Sequence, residues 1–89
     1  MPYIKQPFRT ELEGPINNVV EALSHADKER LAGEINYIFT TILNKIYDSP
    51  RYRDFNEIVG ILECVKLEHY RRRISNYEDM KAAENGDVF

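Results

Sequence analysis

Residues 54–74, DFNEIVGILECVKLEHYRRRI, decide the fold that this chain can adopt. Apolar side chains recur there every three or four positions, which is the spacing of an α-helix. They form one face and two flanks: Phe55, Ile58, Val59 and Leu62; Ile61 and Val65; Leu67 and Ile74. A helix with two apolar flanks packs against more than one neighbour, so the sequence predicts this helix at the centre of the fold.

The start of this helix is predicted from the residues DFNE at 54–57. They match a capping box, in which Asp54 caps the first turn and Glu57 reaches back to it. The alternative is an earlier start, with Ser49 as the cap and Pro50 in the first turn.

Two helices are predicted before this one. The first covers 15–25 and begins at Pro15, because proline is favoured in a first turn. The second covers 27–47, and the carboxylate of Asp27 can cap it. The residues DSP at 48–50 end the second helix, because a residue before proline avoids helical backbone.

The remaining segments complete a single domain over residues 1–89. We expect residues 1–14 to form an extended arm, because proline and glycine recur in them and interrupt regular structure. A short helix over 77–85 is expected to close at Gly86 in a left-handed conformation, followed by a tail at 86–89. No stretch alternates as a strand does, so the fold class is all-α, a small bundle of about three main helices. The short connection makes the second and third helices a central antiparallel hairpin, with the short helix and a docked tail beside it.

Composition places the chain among soluble, cytoplasmic proteins. Its 89 residues are 43% hydrophobic and 30% charged, and no apolar run approaches the ~20 residues of a membrane span. A single cysteine, Cys64, cannot form an internal disulfide, which suits a reducing compartment. The first residues lack the apolar segment of a signal peptide. Because a chain of this size buries only a thin core, we expect a homodimer without membrane contact, and a further protein partner stays open.

Three consecutive arginines at 71–73 are the strongest basic feature of the sequence. They point in different directions around a helix, and the acids Glu78 and Asp79 follow, so they form no basic stripe. Cations in a last helical turn favour the negative end of the helix dipole. An ion pair between Glu68 and Arg72, four residues apart, is also expected. We interpret the three arginines as the end of a helix. The function of a nucleic-acid accessory protein stays a further alternative.

The sequence contains no arrangement typical of a catalytic or metal site. Cys64 and His69 are five residues apart, which predicts nearly opposite sides of their helix. All-α nucleotide pyrophosphatases hold Mg²⁺ through E-x-x-E on one helix and E-x-x-D on the next. This chain has no E-x-x-E, and ENGD at 84–87 matches E-x-x-D only on a turn. We predict no catalytic residue, metal or cofactor, and a Mg²⁺-dependent nucleotide-handling enzyme stays the alternative function.

Lys66 lies near the middle of the apolar face of the central helix. A lysine there must reach solvent or be paired, because an unpaired buried ammonium group is costly. In an antiparallel hairpin that turns about 49–52, the numbers of facing residues add up to roughly 101, which places Glu34 beside Lys66. The predicted ion pair Glu34–Lys66 would fix the register of the hairpin and not act in catalysis.

Two further surfaces are candidate contacts. Small residues and their neighbours on the central helix permit close approach of a second copy: Gly60, Ile61, Cys64 and Val65. The tail ends in the apolar pair Val88 and Phe89, after a turn signal. We expect it to dock on its own bundle, beside three residues: Tyr70, Tyr77 and Leu31. The rival interpretation is a free tail that inserts into the groove of a partner.

Several motifs resemble a family of short proteins of unknown function from tailed phages and prokaryotic genomes. They are MPYI at 1–4, GEINY at 33–37, GILECVKLEHYRRR at 60–73, NYEDMK at 76–81 and ENGDVF at 84–89. The family pattern has a leucine where Ile35 stands and a tyrosine where Phe89 stands. The resemblance implies a prokaryotic or phage setting and no activity, substrate or cofactor. The function we expect is therefore that of a small non-enzymatic interaction or assembly protein.

Overall fold

The computed structural model describes residues 1–89, and the chain is all-α, as the sequence predicts. Four α-helices and one π-helical segment follow one another: α1 Gln6–Leu23, α2 Lys28–Ile46, α3 Tyr52–His69, the π-helical segment Tyr70–Ile74 and α4 Ser75–Asn85. None of these helices combines the length and the apolarity needed to cross a membrane. The chain divides into two compact units, Tyr3–Asp54 and Met1–Pro2 with Phe55–Phe89. The single domain and the hairpin of α2 with α3 stay predictions.

The first helix begins at Gln6 and not at Pro15, so residues 6–14 are helical and the predicted extended arm is wrong there. Pro7 lies in the first turn, where its missing N–H is harmless. Pro15 lies inside the helix, where it cannot donate to the carbonyl four residues earlier. The apolar spacing of α1 nevertheless runs unbroken on both sides of Pro15: Phe8, Leu12, Ile16, Val19 and Leu23. This continuous stripe favours one helix over two segments.

The second helix begins at the cap that the sequence predicts. Asp27 precedes it with extended backbone, and its Oδ1 accepts a hydrogen bond from the Glu29 N–H at 3.1 Å. The helix ends at Ile46, and the turn after it holds Ser49 at a φ of 55°. This left-handed conformation costs a residue with a Cβ atom ~1–2 kcal/mol.

Replacing Ser49 by glycine should stabilise the protein. Glycine relieves the left-handed strain of ~1–2 kcal/mol but adds ~0.5–1 kcal/mol of unfolded-state entropy, which leaves a net gain of about 0.5–1 kcal/mol. Chemical denaturation measures the difference. Ser24→Gly is the matched control, because Ser24 has a φ of −65° and donates to the Glu21 carbonyl at 2.7 Å. The control should lose stability, and equal losses in both variants would contradict the expectation.

The third helix begins at Tyr52, ahead of the predicted start at Asp54. Asp54 Oδ2 accepts a hydrogen bond from the backbone N–H of Arg51 at 2.9 Å. The carboxylate therefore acts from inside the first turn on the residue before the helix, which is the reciprocal half of a capping box. The sequence pattern identified the right carboxylate, but it predicted Asp54 as the cap before the helix, whereas Asp54 lies within the first turn.

Helical backbone continues from α3 through the π-helical segment into α4. The residues at the two junctions all have right-handed helical φ and ψ: His69, Ile74 and Ser75. The helix predicted over 54–74 therefore does not stop before Ser75, and the short helix predicted over 77–85 begins at Ser75. Unit Phe55–Phe89 is consequently built on one long helical path with a wide turn in its middle.

Two local contacts complete this helical path. Asn76 Nδ2 donates to the carbonyl of Arg72 at 3.0 Å, which satisfies a backbone oxygen where the wide turn alters the hydrogen bonding. Gly86 has a φ of 95°, and its N–H donates to the Ala82 carbonyl at 2.9 Å. The sequence predicts a left-handed conformation at Gly86. Its φ is positive, as expected, but its ψ of 138° lies outside the left-handed helical region, and glycine adopts this backbone without a Cβ clash.

Candidate interaction sites

One side of α3 borders an apolar groove of about 320 Å³, named here the α3 groove. Ile61, Cys64 and Val65 line it, together with Met1 and Pro2. The structure thus brings together three of the predicted interface residues in one concave, mainly aliphatic surface. Such a surface is suited to receive an apolar side chain.

The apolar residues of the α3 groove are open to solvent. Ile61 is 40% exposed, Val65 is 41% exposed, and Cys64 is a free, exposed thiol. His69 lines the same groove although the spacing predicted it opposite Cys64, because the groove covers a wide arc of the helix. Gly60, the fourth predicted interface residue, has nothing within 4 Å of the position that a Cβ would take. Its small size serves no close contact within this chain.

Glu68 lines the α3 groove, and it pairs with Arg71 and not with the predicted Arg72. Arg71 Nη2 lies 2.7 Å from Glu68 Oε1. The π-helical segment begins at Tyr70, and its wider turn moves Arg72 away from the position that an α-helix would give it. The ion pair therefore forms at a separation of three residues, which is the other helical contact distance.

A second groove, of about 570 Å³, lies beside α4 and is named here the tail groove. Tyr70, Tyr77, Val88 and Phe89 line it, so four of the predicted tail-docking residues meet at one place. Leu31 belongs to the other compact unit, and its part in docking stays a prediction.

The tail is not docked in this structure, which corrects the predicted docked tail. Val88 is 91% exposed and Phe89 is 114% exposed. The Phe89 N–H donates to Asp87 Oδ1 at 2.9 Å, which holds the tail in a local turn beyond α4. The apolar tail residues thus border the tail groove without being covered by it.

Tyr70 and Glu78 are joined across the π-helical segment, where Tyr70 Oη donates to Glu78 Oε1. A separation of eight residues would turn two side chains ~80° apart on an α-helix. The extra residue of a π-helical turn removes most of this rotation and brings both onto one face. The hydrogen bond to Glu78 and the charge of Glu78 raise the pKa of Tyr70 above its ordinary value of 10.0, and the charge of Asp79 adds a smaller effect.

The raised pKa of Tyr70 predicts a measurable effect of pH on its contact with Glu78. The hydrogen bond should be fully formed below pH 10 and lost as the pH rises through the raised pKa of Tyr70. The ultraviolet absorbance of tyrosinate, compared between the natural protein and Tyr70→Phe, isolates its titration. Glu78→Gln should lower this pKa clearly and Asp79→Asn only slightly. Equal shifts in the two variants would contradict the contact.

Glu34 and Lys66 each have a partner on their own helix. Lys66 Nζ lies 2.9 Å from Glu63 Oε1, and Glu34 Oε1 lies 4.0 Å from Arg30 Nε. The two residues belong to different compact units. The predicted ion pair between them stays a prediction.

The carboxylates of the capping residue Asp54 and of ENGD at 84–87 have structural partners. Asp54 caps α3, Glu84 Oε2 lies 3.1 Å from Lys81 Nζ, and Asp87 accepts from the Phe89 N–H. No group of three or more His, Cys, Asp or Glu side chains is placed to hold a metal ion. These acids are accounted for by capping and local pairing.

The π-helical segment is the feature of this region that the sequence did not reveal. No residue type in YRRRI at 70–74 marks a wide turn. The weak helix formers Ser75 and Asn76 pointed to an irregularity near the right place, but they suggest a break and not a widened turn. The contact between Tyr70 and Glu78 exists only because of that turn.

Comparison with known proteins gives one match. Residues 1–88 match the family model described as "Domain of unknown function (DUF6899)". No curated protein and no solved structure matches the chain.

Proposed function

Since the chain belongs to the DUF6899 family, a family without an assigned function, we propose that it is a small non-enzymatic interaction protein that acts as a homodimer. The family match covers almost the whole chain. It agrees with the resemblance of the sequence to an uncharacterised family.

A single observation carries the proposal, namely that α3 exposes its apolar arc. Every large apolar side chain of α3 except Ile58 is exposed, and Val59 reaches 67%. Covering one such side chain completely contributes ~1.5–3 kcal/mol. A contiguous exposed apolar surface of this kind marks an interaction site. The part of this arc that includes Ile61 and Val65, beside the α3 groove, is therefore a surface that a second copy would cover.

The first helix supports a protein partner over a lipid one. Its apolar stripe is exposed at Phe8, Leu12 and Ile16. Its polar positions include three glutamates and one arginine: Glu11, Glu13, Glu21 and Arg9. Interfacial membrane helices carry lysine and arginine on the polar face, because they are attracted to anionic lipids. An acidic amphipathic helix fits the apolar surface of another protein better.

The dependence of thermal stability on concentration tests the proposal. For a dimer that forms only from folded chains, the free energy of unfolding rises by about 2.7 kcal/mol with each hundredfold rise in protein concentration, because a higher concentration favours association. The Tm should therefore rise with protein concentration in differential scanning calorimetry. A Tm that is constant over that range would contradict a homodimer.

We also infer a cytoplasmic site of action in a prokaryotic or phage setting. The free, exposed thiol of Cys64 supports a reducing compartment. The motifs at 60–73 and 84–89 support the prokaryotic or phage setting through their resemblance to such sequences. Cell fractionation of the natural host would test the location.

A further inference from the structure

We propose that two copies exchange their tails, so that Val88 and Phe89 of each copy occupy the α3 groove of the other. This inference rests on the proposed homodimer and names its interface. It joins two features that one chain leaves open: a groove lined by exposed apolar residues, and an apolar pair fully exposed beyond α4.

The tail cannot reach the α3 groove of its own chain. Helical backbone runs from Val65 to Asn85, and at 1.5 Å per residue this path separates the groove from the tail by ~30 Å. Residues 86–89 span at most ~14 Å when fully extended. An occupant from the tail must therefore come from a second copy.

The α3 groove has the volume and the chemistry to receive the tail. A cavity of ~150 Å³ lined by aliphatic side chains holds a benzene molecule, and the α3 groove measures about 320 Å³. It therefore has space for a phenyl ring and an isopropyl group side by side. Ile61 and Val65 supply the aliphatic wall, and Met1 adds a flexible side chain that adapts to an aromatic ring.

Reciprocal exchange requires two antiparallel helical paths related by a two-fold axis. If Cys64 of one copy lies opposite Val88 of the other, the axis passes midway, near Asn76. Residues 71–73 then lie opposite residues 79–81 of the other copy, which places Arg73 opposite Asp79 and Arg71 opposite Lys81. Charge pairing therefore does not select this register, and apolar contacts must select it.

The tails alone bury too little surface for a stable dimer, so the helices must contribute as well. Two buried phenyl rings contribute ~300–500 Å², whereas a stable dimer buries ~1,200 Å² or more in total. The remainder would come from the exposed side chains that follow the same side of the helical path: Ile61, Val65, Tyr77 and Met80. The tail therefore specifies the register, and the helices supply most of the area.

A disulfide cross-link tests the exchange, because Cys64 lies in the groove and is the only cysteine of the chain. The variant Val88→Cys is oxidised with copper phenanthroline, and the joined peptides are identified by mass spectrometry. We expect a covalent dimer with bridges between residues 64 and 88 of different copies. The natural protein should give no bridge between two Cys64 residues, which the axis places ~36 Å apart. Val59→Cys, an exposed valine on α3, is the matched control and should give no bridge to Cys64 of the other copy, which the axis places ~43 Å away.

Each result has a distinct meaning. A bridge between 64 and 88 within one chain, or bridges only between like residues, would overturn the exchange. So would a dimer that dissociates no more readily in Phe89→Ala, for which we expect at least a tenfold higher Kd. These results leave the proposed homodimer standing, whereas a natural protein that is monomeric in sedimentation would overturn the homodimer itself.

Discussion

Replacing Pro15 by alanine should stabilise the protein by about 2 kcal/mol. Pro15 lies inside α1, where proline is ~3 kcal/mol less favourable than alanine, since it removes a hydrogen bond and crowds the preceding turn. The variant loses ~0.4–1 kcal/mol of this gain because alanine makes the unfolded chain more flexible. In a domain of this size the remaining gain should raise the Tm by ~8–16 °C.

Pro7→Ala is the matched control for this experiment. Pro7 lies in the first turn of the same helix, where its ring is favourable and no hydrogen bond is lost. We expect a change within ~1 kcal/mol, in the destabilising direction. If Pro15→Ala were also neutral or destabilising, α1 would begin at Pro15, as the sequence alone predicts, and the helix over 6–14 would be wrong.

Replacing Val65 by glutamate should weaken the proposed dimer at least a hundredfold. Val65 lies in the α3 groove, and each copy loses the ~1.5–3 kcal/mol of its buried side chain, so a symmetric dimer loses twice this amount. A loss of ~3 kcal/mol already corresponds to a hundredfold change in Kd. Burial of two carboxylates without partners adds to the loss. Analytical ultracentrifugation over a range of concentrations measures the change.

Leu67→Glu provides the control on the same helix. Leu67 is exposed, and two residues along a helix turn it ~200° away from Val65, so its side chain faces away from the α3 groove. The same charge is introduced, but the dimer should keep its affinity. Equal weakening by both substitutions would place the interface elsewhere on the chain.

The sequence predicted those features that depend on local chemistry. The helical periodicity around residues 54–74 predicted the all-α class, and Asp27 and Gly86 mark helix ends through hydrogen bonding and backbone conformation. The prediction for α1 failed because a proline that is favoured in a first turn can also be tolerated inside a helix. Pro7 and Pro15 cannot be distinguished by their local sequence, and only the apolar stripe across them decides.

The candidate surfaces were predicted only in part, for a related reason. Ile61, Cys64 and Val65 share a helix face, so their spacing is enough to group them. Phe89 is exposed beyond the end of α4, and the helical path from α3 to α4 includes the π-helical segment at 70–74, which the sequence did not reveal. A wide turn arises from the balance of packing along the whole helix, which short-range patterns do not contain.

Sedimentation equilibrium of the natural protein tests the homodimer most directly. Over concentrations from about one to one hundred micromolar, the range in which weak dimers assemble, we expect a mass that rises from that of one chain towards twice that value. A mass equal to one chain throughout this range would contradict it, because the exposed apolar arc of α3 would then have no second copy to cover it.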